Sequence, residues 1–423
     1  MNKIIQIFKI KDLRKKILMV CFLLLIFRLM AAIPIPGVDP GKLQEFFASN
    51  QLFGFLNIFS GGALSKLSIM MLGVGPYITA TIILQLLMIV FPRLKEIYYE
   101  EGAAGRAKFN RLSRYLTVPL AIVQAYGFLN LLISQKVIDR LPLGDLLLNV
   151  LIITTGSIIL MWLGELISEY KIGNGVSLII FAGIVSRLPE AVRSLIFTYN
   201  PATLPAYVIF AVLAVVVIAG VTFVNEGERR IPVSYAKRVR GIKLYGGVAS
   251  YLPFKANQAG VIPIIFAISV LLFPQFIAQA VSIFSVDFSL RLNDFVMHFL
   301  NNVWIYSIIY FVLVVVFTYF YTAITFDPQE IAKNLQQNGG FIPGLRPGLP
   351  TSGFLAKIVN RITLFGAFFL GAIAILPNIT QIATGISILT IGGTALLIVV
   401  AVALETMKQI DSQLITREYE GIF

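Results

Sequence analysis

FGFLNIFSGGALSKLSIMMLGVGPYITATIILQLLMIVF, residues Phe53–Phe91, starts as an apolar segment, breaks at Gly61-Gly62 and starts again. A continuous membrane helix needs no such break. Irregular backbone at membrane depth is tolerated only where protein or a water-filled cavity covers it. A short broken helix ahead of a full span therefore points to a re-entrant piece that lines or blocks a cavity. A channel carrying its own stopper fits that pattern.

Composition bounds the rest. The chain has 423 residues, 57% hydrophobic and 13% charged, where ordinary soluble domains are roughly 25% charged. About ten spans of roughly 20 apolar residues would use half of it and leave loops long enough for partner surfaces. An integral membrane protein with one membrane domain is expected. Its one cysteine, Cys21, excludes an intrachain disulfide, and its one histidine, His298, excludes multi-histidine metal sites. No cofactor, metal site or catalytic residue is expected, and the protein is not read as an enzyme.

The spans follow from the uncharged runs. Met1 to Lys16 is basic and precedes the apolar run Ile17 to Ala32, a pattern that resembles a secretory signal. Arg28 interrupts the run and nine further spans follow, so it reads as a retained first span, ended by the prolines of IPIPGVDP (Ile33 to Pro40). Span two is about Ser68 to Phe91. Spans three to five fall at Tyr115 to Ile133, Leu146 to Leu163 and near Ile172 to Ser186. Span six is Leu204 to Val224, span seven lies in Ala256 to Val286 and span eight in Phe299 to Phe326. Ile362 to Leu404 has no charge and is too long for one span; Pro377-Asn378 is expected to split it into spans nine and ten. Most of the 34 Lys and Arg then fall on one side, which makes that side, both termini included, cytoplasmic. Five spans on either side of Arg187 to Pro205 allow an inverted repeat, dividing the chain into 1–190 (spans one to five) and 191–423 (spans six to ten). The glycines and proline opening span two (Gly73, Gly75, Pro76) have counterparts opening span seven (Gly260, Pro263).

Two loops carry the remaining signal, 225–258 and 327–361. The first holds Arg229, Arg230, Lys237, Arg238, Arg240, Lys243 and Lys255 against Glu226 and Glu228. Anionic lipid would reward such charges by about 1 kcal/mol each. Period-two alternation at Ile231, Val233 and Tyr235 instead predicts a hairpin, and a basic hairpin suits a phosphate-rich or acidic partner. The second loop frames Arg346 with Pro343, Pro347 and Pro350. Those prolines restrict φ and hold the arginine out on a stiff turn.

Several long motifs, in order, resemble the SecY/Sec61-alpha family of protein translocase channels: FRLMAAIPIPGVD (Phe27 to Asp39), FSGGALSKLSI (Phe59 to Ile69), GPYITATIILQLL (Gly75 to Leu87), MWLGELISEYKIGNGVSLIIFAGI (Met161 to Ile184), ERRIPVSYAKR (Glu228 to Arg238), LPFKANQAGVIPIIFA (Leu252 to Ala267) and GGFIPGLRPG (Gly339 to Gly348). The resemblance implies an all-α integral membrane protein. It would have ten transmembrane helices in two inverted five-helix halves, and a re-entrant plug helix at about 55–66. Secretory chains would cross its centre, and membrane helices would leave sideways through a lateral gate.

Motif by motif, the resemblance implies a hydrophobic pore ring of Val74, Ile78, Val176, Ile180, Ile265 and Ile398. Two of the six are Val, slightly smaller than Ile. The plug would be Phe55, Leu56, Asn57, Ile58, Phe59, Ser60, Gly61, Gly62, Ala63 and Leu64, and the lateral gate would carry Gln85 and Asn257. The basic loops would dock the ribosome and the SecA motor ATPase, with Arg346 the position that matters most for motor-driven transport. Gly241-Ile242-Lys243 departs from the consecutive basic residues common there, which implies a weaker ribosome contact. The implied partners are the small membrane subunits SecE and SecG, SecA, the ribosome, signal peptides, nascent chains and anionic lipids. The implied location is the cell (inner/cytoplasmic) membrane. A secondary transporter would also use broken helices, but would want ionisable residues at mid-span. Glu165 and Arg28 lie near span ends instead.

Overall fold

The computed structural model describes residues 10–36, 60–64, 66–99, 101–134, 138–189, 193, 197, 204–235, 238–240, 243–245, 249–281, 288, 291–292, 295–296, 302–384 and 388–420. These are mostly helical. In chain order they form α1 (Lys11–Met30), α2 (Gly75–Val90), α3 (Pro92–Tyr99), α4 (Gly102–Ser134), α5 (Leu143–Glu169), α6 (Gly175–Val185) and α7 (Leu204–Glu226). Four strands follow, β1 (Glu228–Tyr235), β2 (Arg238–Arg240), β3 (Lys243–Tyr245) and β4 (Ala249–Lys255). After them come α8 (Ile262–Val281), α9 (Val303–Thr325), α10 (Pro328–Gln337), β5 (Gly340–Phe341), α11 (Leu349–Thr384) and α12 (Ile388–Glu420).

Among the described residues, α5, the stretch Val303–Gln337 that holds α9, and Leu349–Thr380 of α11 are long and apolar enough to cross a membrane. The bent pair α2–α3, which turns by 114°, makes a fourth if counted as one span. The α2–α3 bend falls at Phe91, whose extended backbone (φ −109°, ψ 102°) is what a residue before proline adopts. α1 is apolar on both sides. It buries Leu13, Val20, Leu23 and Phe27 and exposes Leu18, Phe22, Leu25 and Leu29, an outward face suited to lipid rather than water.

The chain forms two compact units: Met1–Val208 with Ile268–Tyr306 and Val402–Phe423, and Ile209–Ala267 with Ser307–Ala401. In the first, the segment after the Gly61-Gly62 break is built into the core. Ile35 N–H donates to Leu67 O (2.8 Å) and Ile69 N–H to Ile33 O (3.0 Å), so the IPIP stretch and the chain ahead of α2 pair as a short antiparallel ladder around Pro34 and Ser68. Ile35, Leu64, Leu67 and Met71 pack with Phe128, Leu129 and Leu132 of α4 and Val150 and Ile153 of α5. The fit is close: a Cβ on Gly156 of α5 would lie 2.0 Å from the Ile69 carbonyl oxygen. Arg114 of α4 donates to Glu165 of α5 (2.7 Å), so the acid singled out near the end of a span is held in an ion pair.

α5 and α6 form a tight helical hairpin. Ser168 Oγ donates to Gly164 O and accepts from Gly175 N–H, both at 2.9 Å, while Asn174 Oδ1 caps α6 through Ser177 N–H. Lys171 turns the chain in the left-handed region (φ 56°). A Cβ on Gly175 would stand 1.8 Å from the Gly164 carbonyl oxygen, backbone that cannot step aside. Gly175→Ala is therefore expected to cost about 1–3 kcal/mol, the usual range for overpacking. The measurement is the Tm of the detergent-purified protein, and an unchanged Tm would show that this turn yields.

The second unit is organised on a sheet. β1 pairs antiparallel with β4 from Glu228↔Lys255 to Ser234↔Ala249, and with β5 at Ser234↔Phe341 and Tyr235↔Gly340, giving the order β4-β1-β5. The predicted alternation holds at Ile231 and Val233, which are buried, while Tyr235 is exposed. Ile231, Val233 and Phe254 pack with Ile342 and with Leu355, Ile358 and Val359 of α11. Phe254 also meets Phe326 edge-on, ring centroids 5.2 Å apart. Beyond this sheet, β2 and β3 pair as a second hairpin, Arg238↔Tyr245 to Arg240↔Lys243.

Three sequence expectations are corrected. Pro377-Asn378 does not split the last apolar run; α11 continues through it to Thr384 and α12 resumes at Ile388. Proline is tolerated within membrane helices, and just after it α11 is tied to α9, Asn378 Nδ2 donating to Ser307 Oγ at 3.0 Å. Span three, expected from Tyr115, is part of a longer helix, since α4 begins at Gly102 and carries Arg106, Lys108, Arg111 and Arg114 ahead of it. Likewise 327–361 is not one loop: Asp327 caps α10 by accepting from Gln329 and Glu330 N–H, and Arg361 lies within α11.

Candidate functional site

Of the ring positions, Val74 caps α2 and Ile78 lies in its first turn, Val176 and Ile180 lie on α6, Ile265 lies in the first turn of α8 and Ile398 lies well inside α12. Gly73 (φ 59°) precedes α2, and Pro76 lies in its first turn, where a missing N–H costs nothing. Gly260 (φ 62°) and Pro263 open α8 at the same spacing. Ile78 and Ile265 stand at the same step past these glycines, 73 to 78 and 260 to 265. In the first unit Val74, Ile78 and Ile180 are buried, while Val176 is half-buried; a Cβ on Gly164 would meet Val176 Cγ2 at 3.4 Å. In the second unit Ile265 and Ile398 are buried.

Of the plug positions, Phe55, Leu56, Asn57, Ile58 and Phe59 lie outside the described residues. Ser60, Gly61, Gly62, Ala63 and Leu64 form turns rather than helix. Ser60 Oγ accepts from Leu64 N–H (3.0 Å), and Ser60, Ala63 and Leu64 are all at most 2% exposed. Gly61 (φ 64°) and Gly62 (φ 83°) use a left-handed backbone that glycine adopts readily. Arg28 Nη1 donates to Gly61 O at 2.7 Å.

At the positions expected to form the gate, Gln85 Oε1 on α2 is buried with no hydrogen-bond partner among the described residues. Asn257 lies in the turn ahead of α8. Its Nδ2 donates to Asn225 Oδ1 (2.9 Å) and to Gly260 O (3.1 Å), and its Oδ1 is buried with no partner among the described residues. Both amides thus hold an unmet acceptor, costly in an apolar setting and ready for a new donor.

The residues expected to dock partners lie on more than one element of the second unit. Arg229 and Arg230 are exposed on β1, with Arg230 Nε donating to Glu228 (2.6 Å). Arg238 and Arg240 lie on β2 and Lys243 on β3; Lys237 lies outside the described residues. Arg346 is exposed on a turn whose Gly344 (φ 83°) and Gly348 (φ 99°) are left-handed, and Thr351 Oγ1 donates to its carbonyl oxygen (2.8 Å). β5 joins β1, so both loops share one scaffold.

A family model described as SecY matches residues 68–407, most of the chain. The protein translocase subunit SecY of Corynebacterium glutamicum is 43% identical over 446 residues, covering 100% of both chains. The chain belongs to the SecY family. Among solved structures it is similar to a SecY channel described as having a plug domain that stabilises the closed state and maintains a membrane seal (TM-score 0.64, 20% identity, 92% of this chain and 90% of that one). It is equally similar to Sec61 in a canine ribosome–channel complex from the endoplasmic reticulum (TM-score 0.64, 20% identity, the same coverage). These likenesses fix the SecY fold.

Several residues in this SecY family member escaped sequence reasoning. Gly183 and Phe27, which pack on Gly61, and Asn225, which holds Asn257, sit in motifs whose letters do not single them out. Arg28 stood out as the only charge within the first apolar run, but its partner could not be read.

Proposed function

We infer that this chain is the protein-conducting channel of a Sec translocon, passing unfolded secretory proteins across the membrane and releasing membrane helices through a lateral gate. The full-length match to a SecY translocase subunit carries the reading. The finer assignments rest on the residues. Apolar side chains at Val74, Ile78, Val176, Ile180, Ile265 and Ile398 suit a gasket that offers a moving polypeptide no lasting hydrogen bond, and a hydrophobic constriction gates ions by dewetting. The shared entry of α2 and α8 supports two inverted five-helix halves, 1–190 and 191–423. Residues 55–64 are the plug, and the unmet acceptors of Gln85 and Asn257 supply the gate's weak polar contacts, typically about 0.6 to 2 kcal/mol each.

The channel is passive on this reading. A SecA-type motor or the ribosome supplies the work and docks through the basic residues Arg229, Arg230, Lys237, Arg238, Arg240, Lys243 and Arg346. SecE- and SecG-type subunits and anionic lipids surround a ten-span protein of the cell membrane, both termini cytoplasmic. Reconstitution into vesicles with a motor ATPase, ATP and a signal-bearing preprotein tests this. Protease-protected preprotein that depends on this chain and on the signal is expected; no protected product from a correctly inserted complex would overturn it.

A further inference from the structure

We propose that Arg28, Gly61 and Gly183 form a latch that holds the plug segment closed, with Arg28 as its positioning residue. The proposal rests on the reading of residues 55–64 as the plug.

Arg28 lies in the last turn of α1, and its guanidinium donates to a main-chain carbonyl, that of Gly61, at 2.7 Å. An ionisable group within a membrane span is costly and marks function by default; a charge-assisted hydrogen bond is the strong kind. Gly61 also meets α6 backbone to backbone. A Cβ on Gly183 would fall 2.3 Å from Gly61 Cα, and one on Gly61 would fall 2.8 Å from Phe27 Cζ and 2.9 Å from Gly183 Cα. Gly62 lies against the stem of Arg187, just beyond α6, whose Cδ would be 3.1 Å from an added Cβ. Contacts from Arg28, Phe27, Gly183 and Arg187 thus converge on two glycines.

Each contact reads the position of the plug's backbone, none the identity of a plug side chain. A slide of a few ångströms breaks the hydrogen bond and the glycine contact together. The latch is also wired to the ring, because α6 carries Val176 and Ile180 as well as Gly183, one turn beyond Ile180. Moving α6 outward to widen the ring draws Gly183 off Gly61, so widening itself releases the plug.

The test uses the intact complex in vesicles and reads resting ion leak. It also reads labelling of Ser60→Cys by a membrane-impermeant maleimide, in a Cys21→Ser background because Cys21 is an exposed free thiol. Arg28→Met is expected to raise leak roughly fivefold or more, the low end of coupling between two sites, and to expose position 60, which is buried in the parent. Arg28→Lys, still a donor, should restore both readouts, which loss of general stability would not allow. Gly183→Ala should mimic Arg28→Met by pushing Gly61 away, and it carries the test if Arg28→Met fails to accumulate. Deletion of 55–64 separates the two readings. Leak from the deletion with none from Arg28→Met or Gly183→Ala would overturn the latch and leave the plug standing. No leak from the deletion would overturn the plug, and the latch with it. Arg28→Met added to the deletion should change nothing further.

Discussion

Reversing the charge at Arg346 is expected to stop motor-driven translocation while leaving the protein folded and inserted. The turn that carries Arg346 is fixed from both sides. Ahead of it, Ile342 is buried against Ile231, Val233 and Phe254, and Leu345 N–H donates to Ile342 O at 3.0 Å. Behind it, Thr351 Oγ1 holds the Arg346 carbonyl and Ser352 N–H donates to Gly348 O at 3.1 Å. The backbone is held while the side chain is exposed, the arrangement of a presented contact. An exposed substitution away from packing shifts stability by no more than about 0.5 kcal/mol, so the Tm of Arg346→Glu should match the parent. Disrupting one partner of an interfacial hydrogen-bonded charge pair costs about 2–5 kcal/mol; at 1.4 kcal/mol per decade, that is more than about tenfold in motor affinity. Protease-protected preprotein at fixed motor concentration should fall by at least that factor. Arg346→Lys should fall less, because a lysine keeps the charge but not the planar fork. Transport at the parental rate by Arg346→Glu would remove this residue from the docking site.

The scaffold beneath Arg346 was half legible. Alternation at Ile231 and Val233 announced the β1–β4 hairpin, because side chains on a half-buried strand must alternate. That β5 adds to β1 was not legible. A strand of two residues, Gly340 and Phe341, has no periodicity to read, and its register comes from burying Ile342 in a core shared with α11. The proline at 377 misled for a related reason. Proline chemistry is local, but its cost depends on whether a neighbour takes over the groups it disturbs, and α11 runs on beside an Asn378–Ser307 hydrogen bond that no linear pattern records.

Glycine shows the same limit at the plug. The chain has 33 glycines, and the break at Gly61-Gly62 was visible because two stood together in an apolar run. What they are for was not. The left-handed φ at both positions and the backbone contact with Gly183 are tertiary facts, as is the capture of Gly61 O by Arg28. The paired openings of α2 and α8 were the opposite case. Gly73–Pro76 and Gly260–Pro263 carry their conformational demand in residue type, so the similar entries into α2 and α8 were readable from the sequence.

Removing residues 55–64 should raise the resting ion conductance of the reconstituted channel by about tenfold or more. The described part of this segment, 60–64, is held by burial of Ala63 and Leu64 as well as by Arg28. Burying a leucine side chain alone contributes about 1.5–3 kcal/mol, and 1.4 kcal/mol already biases a two-state equilibrium tenfold. The ring remains after the deletion, and an apolar constriction resists ions by staying dry. The added conductance should therefore come as brief openings rather than a steady current. Making the ring wettable in the deleted channel, by Ile78→Ser with Ile180→Ser, should turn those bursts into sustained current. The same double substitution with the plug present should leak less than the combination, since two seals in series must fail together. Leu64 belongs to the core with Leu67, Met71 and Phe128, so the full deletion should also lower Tm. Deleting only 55–59 keeps Leu64 in the chain, and comparing its conductance with that of the full deletion separates loss of those five residues from loss of the Leu64 packing. Bilayer conductance of the full deletion equal to that of the parent would leave the ring as the sole seal and end the assignment of these residues as a plug.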